Sequence, residues 1–136
     1  MSIAHWDQRL LLGVPTLDDH HRRLFRIAHS IDLAIERRDS SDNILRLIRN
    51  LNDFSDRQFE TEEYIMETDH YPLRVQHKEA HTKLTKLSYG IQKQFEDERN
   101  LLVLVLQLHS KIIIGMRKHI LEEDVLLADF INAVSV

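Results

Sequence analysis

The chain has 136 residues, a formal net charge of −4 and no cysteine. This length suits one domain with a single core, and the charge offers no basic face for nucleic acid. The absence of cysteine excludes disulfides, thiolate metal sites and iron–sulfur clusters, and it fits a reducing compartment. The unusual feature is the presence of nine histidines.

The first segment, residues 1–15, is interpreted as an N-terminal arm, because glycine and proline close it just before a helical pattern begins. Thr16 and Asp19 have the spacing of a helix N-cap and an acid in the first turn, so we expect the first helix to start there. Residues 16–132 contain four helical segments without an internal repeat. A single domain over 1–136 is therefore expected.

Three breaks separate the four helical segments. Residues 39–42 read Asp-Ser-Ser-Asp, which is typical of a turn followed by a helix cap. Residues 68–72 end in Pro72, which is placed to open the third helix. The break at residues 97–100 is weaker, because it contains neither glycine nor proline.

Each segment carries a stripe at alternating steps of three and four residues, which is typical of a helix that buries one face. The stripe positions in chain order are Leu17, His21, Leu24, Ala28, Ile31, Ile35; Ile44, Ile48, Leu51, Ser55, Gln58, Glu62, Ile65; His77, His81, Leu84, Ser88, Ile91, Phe95; and Leu101, Val105, Leu108, Ile112, Gly115, His119. Four such helices with short connections predict an all-α, up-down-up-down four-helix bundle with an N-terminal arm.

Polar side chains interrupt these stripes at positions where apolar ones are expected. The interruptions are His21, Gln58, Glu62, His77, His81 and His119. Burying so many ionisable groups is costly unless they are paired or bind a metal. Counted from the turns of an antiparallel bundle, all six lie at one level near one end. The sequence therefore predicts one shared site.

The candidate ligands suit a site with two metals. They are four imidazoles and two carboxylates: His21, His77, His81, His119, Glu62 and Asp124. His77 and His81 lie four residues apart and share a helix face. A tetrahedral zinc site needs only four ligands, and this mixture suits iron, manganese or zinc. Asp124 follows His119 by five residues, about 140° round an ideal helix, so it joins the site only if the helix loosens there.

These residues resemble those of the haemerythrins, and specifically the bacterial ones, over nearly the whole chain. The matching positions are Trp6, Gly13, Val14, Asp18, Asp19, His20, His21, Phe59, Glu60, Thr61, Glu62, Glu63, Met66, Tyr71, Pro72, His77, His81, His119, Ile120 and Asp124. The resemblance implies two iron ions (Fe2+/Fe3+) with an oxo or hydroxo bridge, and dioxygen as a ligand.

The resemblance also implies a role for each candidate ligand. One iron would be held by His77, His81 and His119, the other by His21, with Glu62 and Asp124 bridging them. Dioxygen would bind the iron that has fewer protein ligands. No catalytic residue is implied.

Two positions depart from the family pattern. Gln58 stands where a fifth histidine is usual, and an amide is a poorer, neutral donor. As a cofactor-binding residue it would leave the iron at His21 with an open or water-filled position, whereas as an ordinary core amide it would bind no metal. Gly115 replaces a tryptophan four residues before His119, which would widen the pocket or admit solvent.

The expected function is an oxygen or redox sensor input module, or an oxygen carrier, that binds dioxygen and small anions such as azide. Gln58 favours sensing over carriage, and a fused or partner signalling domain is compatible with the chain. The alternatives are a di-iron oxidase or peroxidase, and a metal-free helical interaction module. We expect a cytoplasmic protein without nucleic-acid binding, because the start lacks a signal peptide. We also expect no membrane insertion, because the apolar run from Leu101 to Leu106 is too short to cross a bilayer.

The other histidines are interpreted as surface or supporting residues. They are His5, His20, His29, His70 and His109. Ser55 and Ser88 are read as small packing residues. For Asp124 the alternative is a solvated acid within the acidic run 122–124.

Overall fold

The computed structural model describes residues 6–134, and within that range it contains helices and no strand. The elements are a 3-10 turn (Gln8–Leu10), α1 (Pro15–Glu36), α2 (Ser41–Thr68), α3 (Arg74–Glu98), α4 (Leu101–Gln107), a first π segment (Leu108–Ile113), α5 (Ile114–His119), a second π segment (Ile120–Asp124) and α6 (Val125–Val134). The backbone stays in the right-handed helical region from α4 to α6, so these segments form one fourth helix. The prediction of an all-α four-helix bundle is confirmed.

The first helix starts at Pro15, and the prediction that Thr16 is its N-cap was wrong. Val14 is the N-cap residue and has an extended backbone (φ −117°, ψ 105°). Pro15 occupies the first helical position, where its fixed φ suits the helix and its missing N–H is no loss.

The N-terminal arm is fastened to α1 by the buried carboxylate of Asp18 in the first turn. Asp18 accepts hydrogen bonds from the backbone N–H groups of Leu12, at 2.8 Å, and Gly13, at 3.1 Å. Gly13 has φ +79°, a left-handed conformation in which glycine is favoured. The carboxylate thus replaces water for two backbone donors at the sharp bend before the helix.

The predicted breaks at 39–42 and 97–100 are both found. Ser40 caps α2, because its hydroxyl accepts a hydrogen bond of 3.1 Å from the backbone N–H of Asn43. Asn100 caps the fourth helix in the same way, through the N–H of Val103 at 3.1 Å. The preceding residue, Arg99, has φ +51° and ends α3.

The break before α3 lies slightly later than predicted. The helix begins at Arg74, two residues after Pro72, and Leu73 is its N-cap residue. His70 turns the chain with φ +55°, so the predicted turn at 68–72 is present.

The core consists of two apolar clusters that lie on either side of the predicted polar level. The smaller cluster contains Val14, Leu17, Met66, Tyr71, Leu127 and Ala128. The larger cluster fills the rest of the bundle, including Leu24 of α1, Phe59 of α2, Ile91 of α3 and Met116 of α5. Along α1, α2 and the fourth helix the polar residues therefore fall between two apolar layers, and Tyr71, just before α3, belongs to the smaller cluster on the same side.

The predicted stripe of the fourth helix was partly wrong. Leu101 is exposed, and Val105 and Gly115 are partly exposed. The apolar residues that are buried instead are Leu104, Leu108, Ile112, Ile113, Met116, Ile120 and Leu127. The two π segments shift the register, because a π turn spans five residues where an α turn spans about four. Within residues 6–134, no helix has an apolar stretch long enough to cross a membrane.

Candidate metal centre

All four helices bring their predicted polar residues to one level. The side chains are His21 from α1, Gln58 and Glu62 from α2, His77 and His81 from α3, His119 from α5, and Asp124 from the second π segment. None of the seven residues is more than 3% exposed. Side chains of this kind are rarely buried unless they pair or bind an ion, so their concentration at one level marks a site.

Five of these residues form a compact cluster of possible metal ligands. His77, His81, His119, Glu62 and Asp124 each offer one ligand atom, and these atoms lie within 4.8 Å of one another. Glu62 Oε1 lies 3.2 Å from Nε2 of both His77 and His81. Asp124 Oδ1 lies 3.0 Å from Nε2 of both His77 and His119. We call His77, His81 and His119 the three-histidine group.

The second oxygen of each carboxylate points away from the three-histidine group. Asp124 Oδ2 lies 2.9 Å from Nε2 of His21. Glu62 Oε2 accepts a hydrogen bond of 3.3 Å from Nε2 of Gln58. Each carboxylate therefore has one oxygen beside two imidazoles of the three-histidine group and the other beside His21 or Gln58. A pair of carboxylates arranged in this way is able to bridge two cations.

The second π segment brings Asp124 to the site. A residue five positions after His119 lies on the far side of an α-helix, but a π-helix bonds residue i to residue i+5 and sets the two residues one above the other. The atoms Asp124 Oδ1 and His119 Nε2 are 3.0 Å apart. The sequence predicted that Asp124 joins the site only if the helix loosens after His119, and the second π segment is such a loosened turn. Asp124 is fully buried rather than solvated.

Two carboxylates outside the cluster, which the sequence interpretation missed, contact the other ring nitrogens. Glu63 Oε2 lies 2.9 Å from Nδ1 of His81, and Glu123 Oε1 lies 3.2 Å from Nδ1 of His119. Phe59 stacks on the His81 ring with a centroid distance of 3.8 Å. Such contacts fix a ring so that its inner Nε2 faces the metal. Glu123 gave one usable signal, since it follows His119 by four residues.

The buried charges set the protonation of the cluster. Burial and the charge of Asp124 raise the pKa of Glu62, but hydrogen bonds from His77 and His81 outweigh them and lower it. Burial raises the pKa of Asp124, but the His119 charge and hydrogen bonds from His119, His21 and His77 hold it well below its usual range. The protein alone therefore keeps both carboxylates ionised.

The neighbouring carboxylates favour the protonated form of His77 and His119. Burial lowers the pKa of His77, but hydrogen bonds to Asp124 and Glu62 and their charges raise it to about 9. Burial lowers the pKa of His119 as well, and the nearby carboxylates again raise it. Without a metal, protons thus supply the positive charge that the two carboxylates require, and a cation has to displace them.

The donor set fits metal ions better than it fits protons alone. Two buried polar atoms of the described residues at this level lack a hydrogen-bond partner, Gln58 Oε1 and His21 Nδ1. Buried polar atoms are nearly always satisfied, so a cluster of exceptions points to an ion or ligand. Imidazole and carboxylate donors without thiolate suit iron, manganese or zinc.

The expectation that Gly115 widens the pocket stays a prediction, and Leu84 is the residue that lies nearest to it. A Cβ atom at Gly115 would lie 3.3 Å from Cδ2 of Leu84, which is tighter than most real contacts. The Leu84 side chain therefore packs closely against Gly115.

The remaining predicted residues lie outside the cluster. His20, His29 and His109 are half-buried and His70 is exposed, while His5 falls outside the described residues. Nε2 of His109 contacts Oδ1 of Asp32 at 2.6 Å. Ser55 is half-buried and lines a small internal cavity, and the half-buried Ser88 hydroxyl donates a hydrogen bond to Asn52.

Comparison with known proteins gives a consistent result. The sequence model of the family described as "Hemerythrin HHE cation binding domain" matches residues 12–131. A protein named "Bacteriohemerythrin" from Clostridium acetobutylicum is 26% identical over 124 residues, which cover 88% of this chain and 94% of that protein. No solved structure gives a significant match. Because the family match spans all four helices and every candidate ligand, the chain belongs to the haemerythrin family.

Proposed function

We propose that this chain is a non-haem di-iron domain that binds dioxygen. The observation that carries the proposal is the division of Glu62 and Asp124, each of which has one oxygen at the three-histidine group and the other at His21 or Gln58. Members of the family are generally oxygen carriers or sensors rather than enzymes. When held by the protein, a pair of ferrous ions would supply two electrons to dioxygen, one from each ion.

The two irons would differ in their protein ligands. The first is assigned to the three-histidine group with Glu62 Oε1 and Asp124 Oδ1, which makes five donor atoms. The second is assigned to His21 with Glu62 Oε2 and Asp124 Oδ2, which makes three. The contact of Gln58 with Glu62 Oε2 supports assigning Gln58 to the second side as well. The side with fewer donors is the proposed place for dioxygen and for small anions such as azide.

The chain's own residues prepare this site in three ways. The two bridging carboxylates contribute a charge of −2 that favours two cations at close range. The outer contacts of His81 and His119 with Glu63 and Glu123 hold the imidazoles in orientation. The apolar clusters on both sides keep bulk water away, which suits reversible ligand binding.

A sensing role is the form of this function that the donor count favours. A second iron with few protein ligands would be more accessible to water and small anions and more prone to autoxidation, so oxygen exposure would change its state lastingly. We include a cytoplasmic location and a signalling partner in the proposal as expectations from the sequence.

The proposal is tested by loading the metal-free protein with ferrous ion without air and then admitting dioxygen. We expect two irons per chain and near-ultraviolet bands that appear with oxygen. Asp124→Ala, which removes one bridge, is expected to reduce the content to one iron or less. His109→Ala, a substitution outside the cluster, is the matched control and is expected to retain two irons.

Two results would contradict the proposal. One is a parent protein that stays iron-free and colourless after ferrous loading. The other is sustained turnover of peroxide or a reductant well above that of free iron, which would indicate an oxidase or peroxidase instead.

A further inference from the structure

The side-chain amide of Gln58 is held in one orientation by Glu62. Gln58 Nε2 donates a hydrogen bond to Glu62 Oε2 at 3.3 Å, and Gln58 is 2% exposed. Glu62 Oε2 accepts this hydrogen bond, and Glu62 Oε1 lies 3.2 Å from Nε2 of both His77 and His81. Turning the amide over would set its oxygen against a carboxylate oxygen. The NH2 group is therefore the end of the amide that faces Glu62.

This orientation is unsuited to direct coordination of a metal through the amide. An amide nitrogen is a donor of hydrogen bonds and has no lone pair to offer a cation, whereas the oxygen does. The NH2 group of Gln58, and not its oxygen, is therefore the end that contacts Glu62 Oε2. The amide oxygen, Gln58 Oε1, is buried and has no hydrogen-bond partner.

A buried amide oxygen without a donor costs on the order of 1–3 kcal/mol, so the native protein is expected to supply one. The neighbouring polar groups do not serve this purpose. Nε2 of His21 is engaged with Asp124 Oδ2, and both oxygens of Glu62 are acceptors already in use. The missing donor is therefore a small molecule that carries its own proton.

We propose that Gln58 is a hydrogen-bond acceptor for a small proton-bearing oxygen ligand, such as water or hydroxide, on the His21 side of the centre. This inference rests on the proposed function, because the ligand would share that side with the second iron. Gln58 thereby discriminates among exogenous ligands. A molecule with an O–H group donates a hydrogen bond to Oε1, whereas azide at neutral pH has no proton to donate and faces only the lone pairs of Oε1. The amide is a specificity-determining residue rather than a fifth protein ligand.

The test uses Gln58→Met, which keeps the length of the side chain, removes the donor and leaves a thioether as only a weak acceptor in place of the amide oxygen. In the iron-loaded, oxidised protein we expect two irons per chain, as in the parent. We expect azide to bind about three- to tenfold more tightly than to the parent, because the competing water loses one hydrogen bond. The readouts are iron content and azide titration by absorption. Gln92→Met makes the same chemical change on α3 and is expected to leave azide affinity unchanged.

Two outcomes would overturn the inference while the proposed function stands. Loss of one iron in Gln58→Met, from a parent that holds two, would identify the amide as a ligand. Unchanged or weaker azide binding, reproduced in Gln58→Leu, would show that Oε1 does not hold a competing ligand. A crystal structure of the iron-loaded parent gives a direct check: a solvent oxygen is expected within hydrogen-bond distance of Gln58 Oε1. Failure of the proposed function appears earlier, as a parent without two irons, and it removes this inference as well.

Discussion

At the scale of single residues, Glu63 and Glu123 contact the Nδ1 atoms of His81 and His119, so a substitution of either acid is expected to affect the centre without removing a ligand. Glu63 contacts Nδ1 of His81 at 2.9 Å while remaining partly exposed. Glu63→Ala is expected to leave the fold intact and weaken iron binding by roughly tenfold, because the ring loses the contact that orients its Nε2. The measurement is the rate of iron loss to a chelator from the loaded protein.

Glu60→Ala provides the control for this substitution. Glu60 is an exposed acid three residues earlier on the same helix, so the change in net charge is the same. We expect iron loss from Glu60→Ala at the parent rate. Equal acceleration in both variants would mean that surface charge, and not the contact with His81, governs retention.

A site residue could be predicted from the sequence when it is a polar residue at a position of an otherwise apolar helix stripe. His77, His81 and Glu62 interrupt apolar stripes, so burial and a common level could be inferred from spacing alone. Glu63 lies beside Glu62 on a helix with many exposed acids, and an acid at the surface carries no signal. Its contact with His81 depends on how α2 and α3 pack, which periodicity does not specify.

At the scale of elements, the two π segments of the fourth helix offer an internal comparison. The second one, Ile120–Asp124, contains a candidate ligand and follows another, His119, whereas the first one, Leu108–Ile113, contains none. We expect iron to protect the backbone amides of the second segment from hydrogen exchange, because a bound ion ties His119 and Asp124 together across the turn. The amides of the first segment are expected to change little. Mass spectrometry of metal-free and iron-loaded protein measures both.

Asp124→Ala tests whether the protection from hydrogen exchange comes from iron bound at Asp124 or from a general loss of mobility in the iron-loaded protein. Without the carboxylate, the second π segment should lose its iron-dependent protection even when the remaining ligands still retain metal. Equal protection of both π segments in the parent would contradict a local role for the second one.

The boundaries of the elements were predictable where a side chain marks them chemically, as Ser40 and Asn100 do. The π segments were not, because a single extra residue in a helix leaves the composition unchanged and only displaces the stripe. The burial of Met116 rather than Gly115 follows the first π segment along the chain. The five-residue interval between His119 and Asp124 was the one sequence feature that anticipated a loosened turn.

In the molecule as a whole, the polar layer lies between two apolar clusters and is closed by all four helices. This arrangement explains why the fold was predictable: the stripes required four amphipathic helices, and short turns left an antiparallel bundle as the simple solution. The same arrangement makes the stability of the metal-free protein depend on buried charges. When a histidine of the polar layer loses its proton, the negative charges of Glu62 and Asp124 are no longer balanced, and solvent does not screen them.

The metal-free protein is therefore expected to lose stability as pH rises through about 9. The pKa of His77 is raised from 6.5 to about 9 in the folded state, so its contribution is fully present below pH 6.5 and is lost through pH 9. The carboxylates Glu62 and Asp124 have lowered pKa values, so their contribution is present above their ordinary range and is lost only in acid. Stability should be greatest near pH 6, and the free energy of unfolding should fall by about 3 kcal/mol at pH 9.5.

Denaturant unfolding of the metal-free parent at pH 6 and pH 9.5 measures this loss, with His77→Gln as the reference. The variant cannot be protonated at that position, so its free energy of unfolding should change much less over the same interval. Iron-loaded parent should also change less, because Nε2 of His77 then binds a cation rather than a proton. An equal fall in parent and His77→Gln would place the pH dependence elsewhere in the protein. A fall confined to the metal-free parent would show that one layer of side chains holds protons or metal ions in turn, and that the bundle depends on one or the other being present.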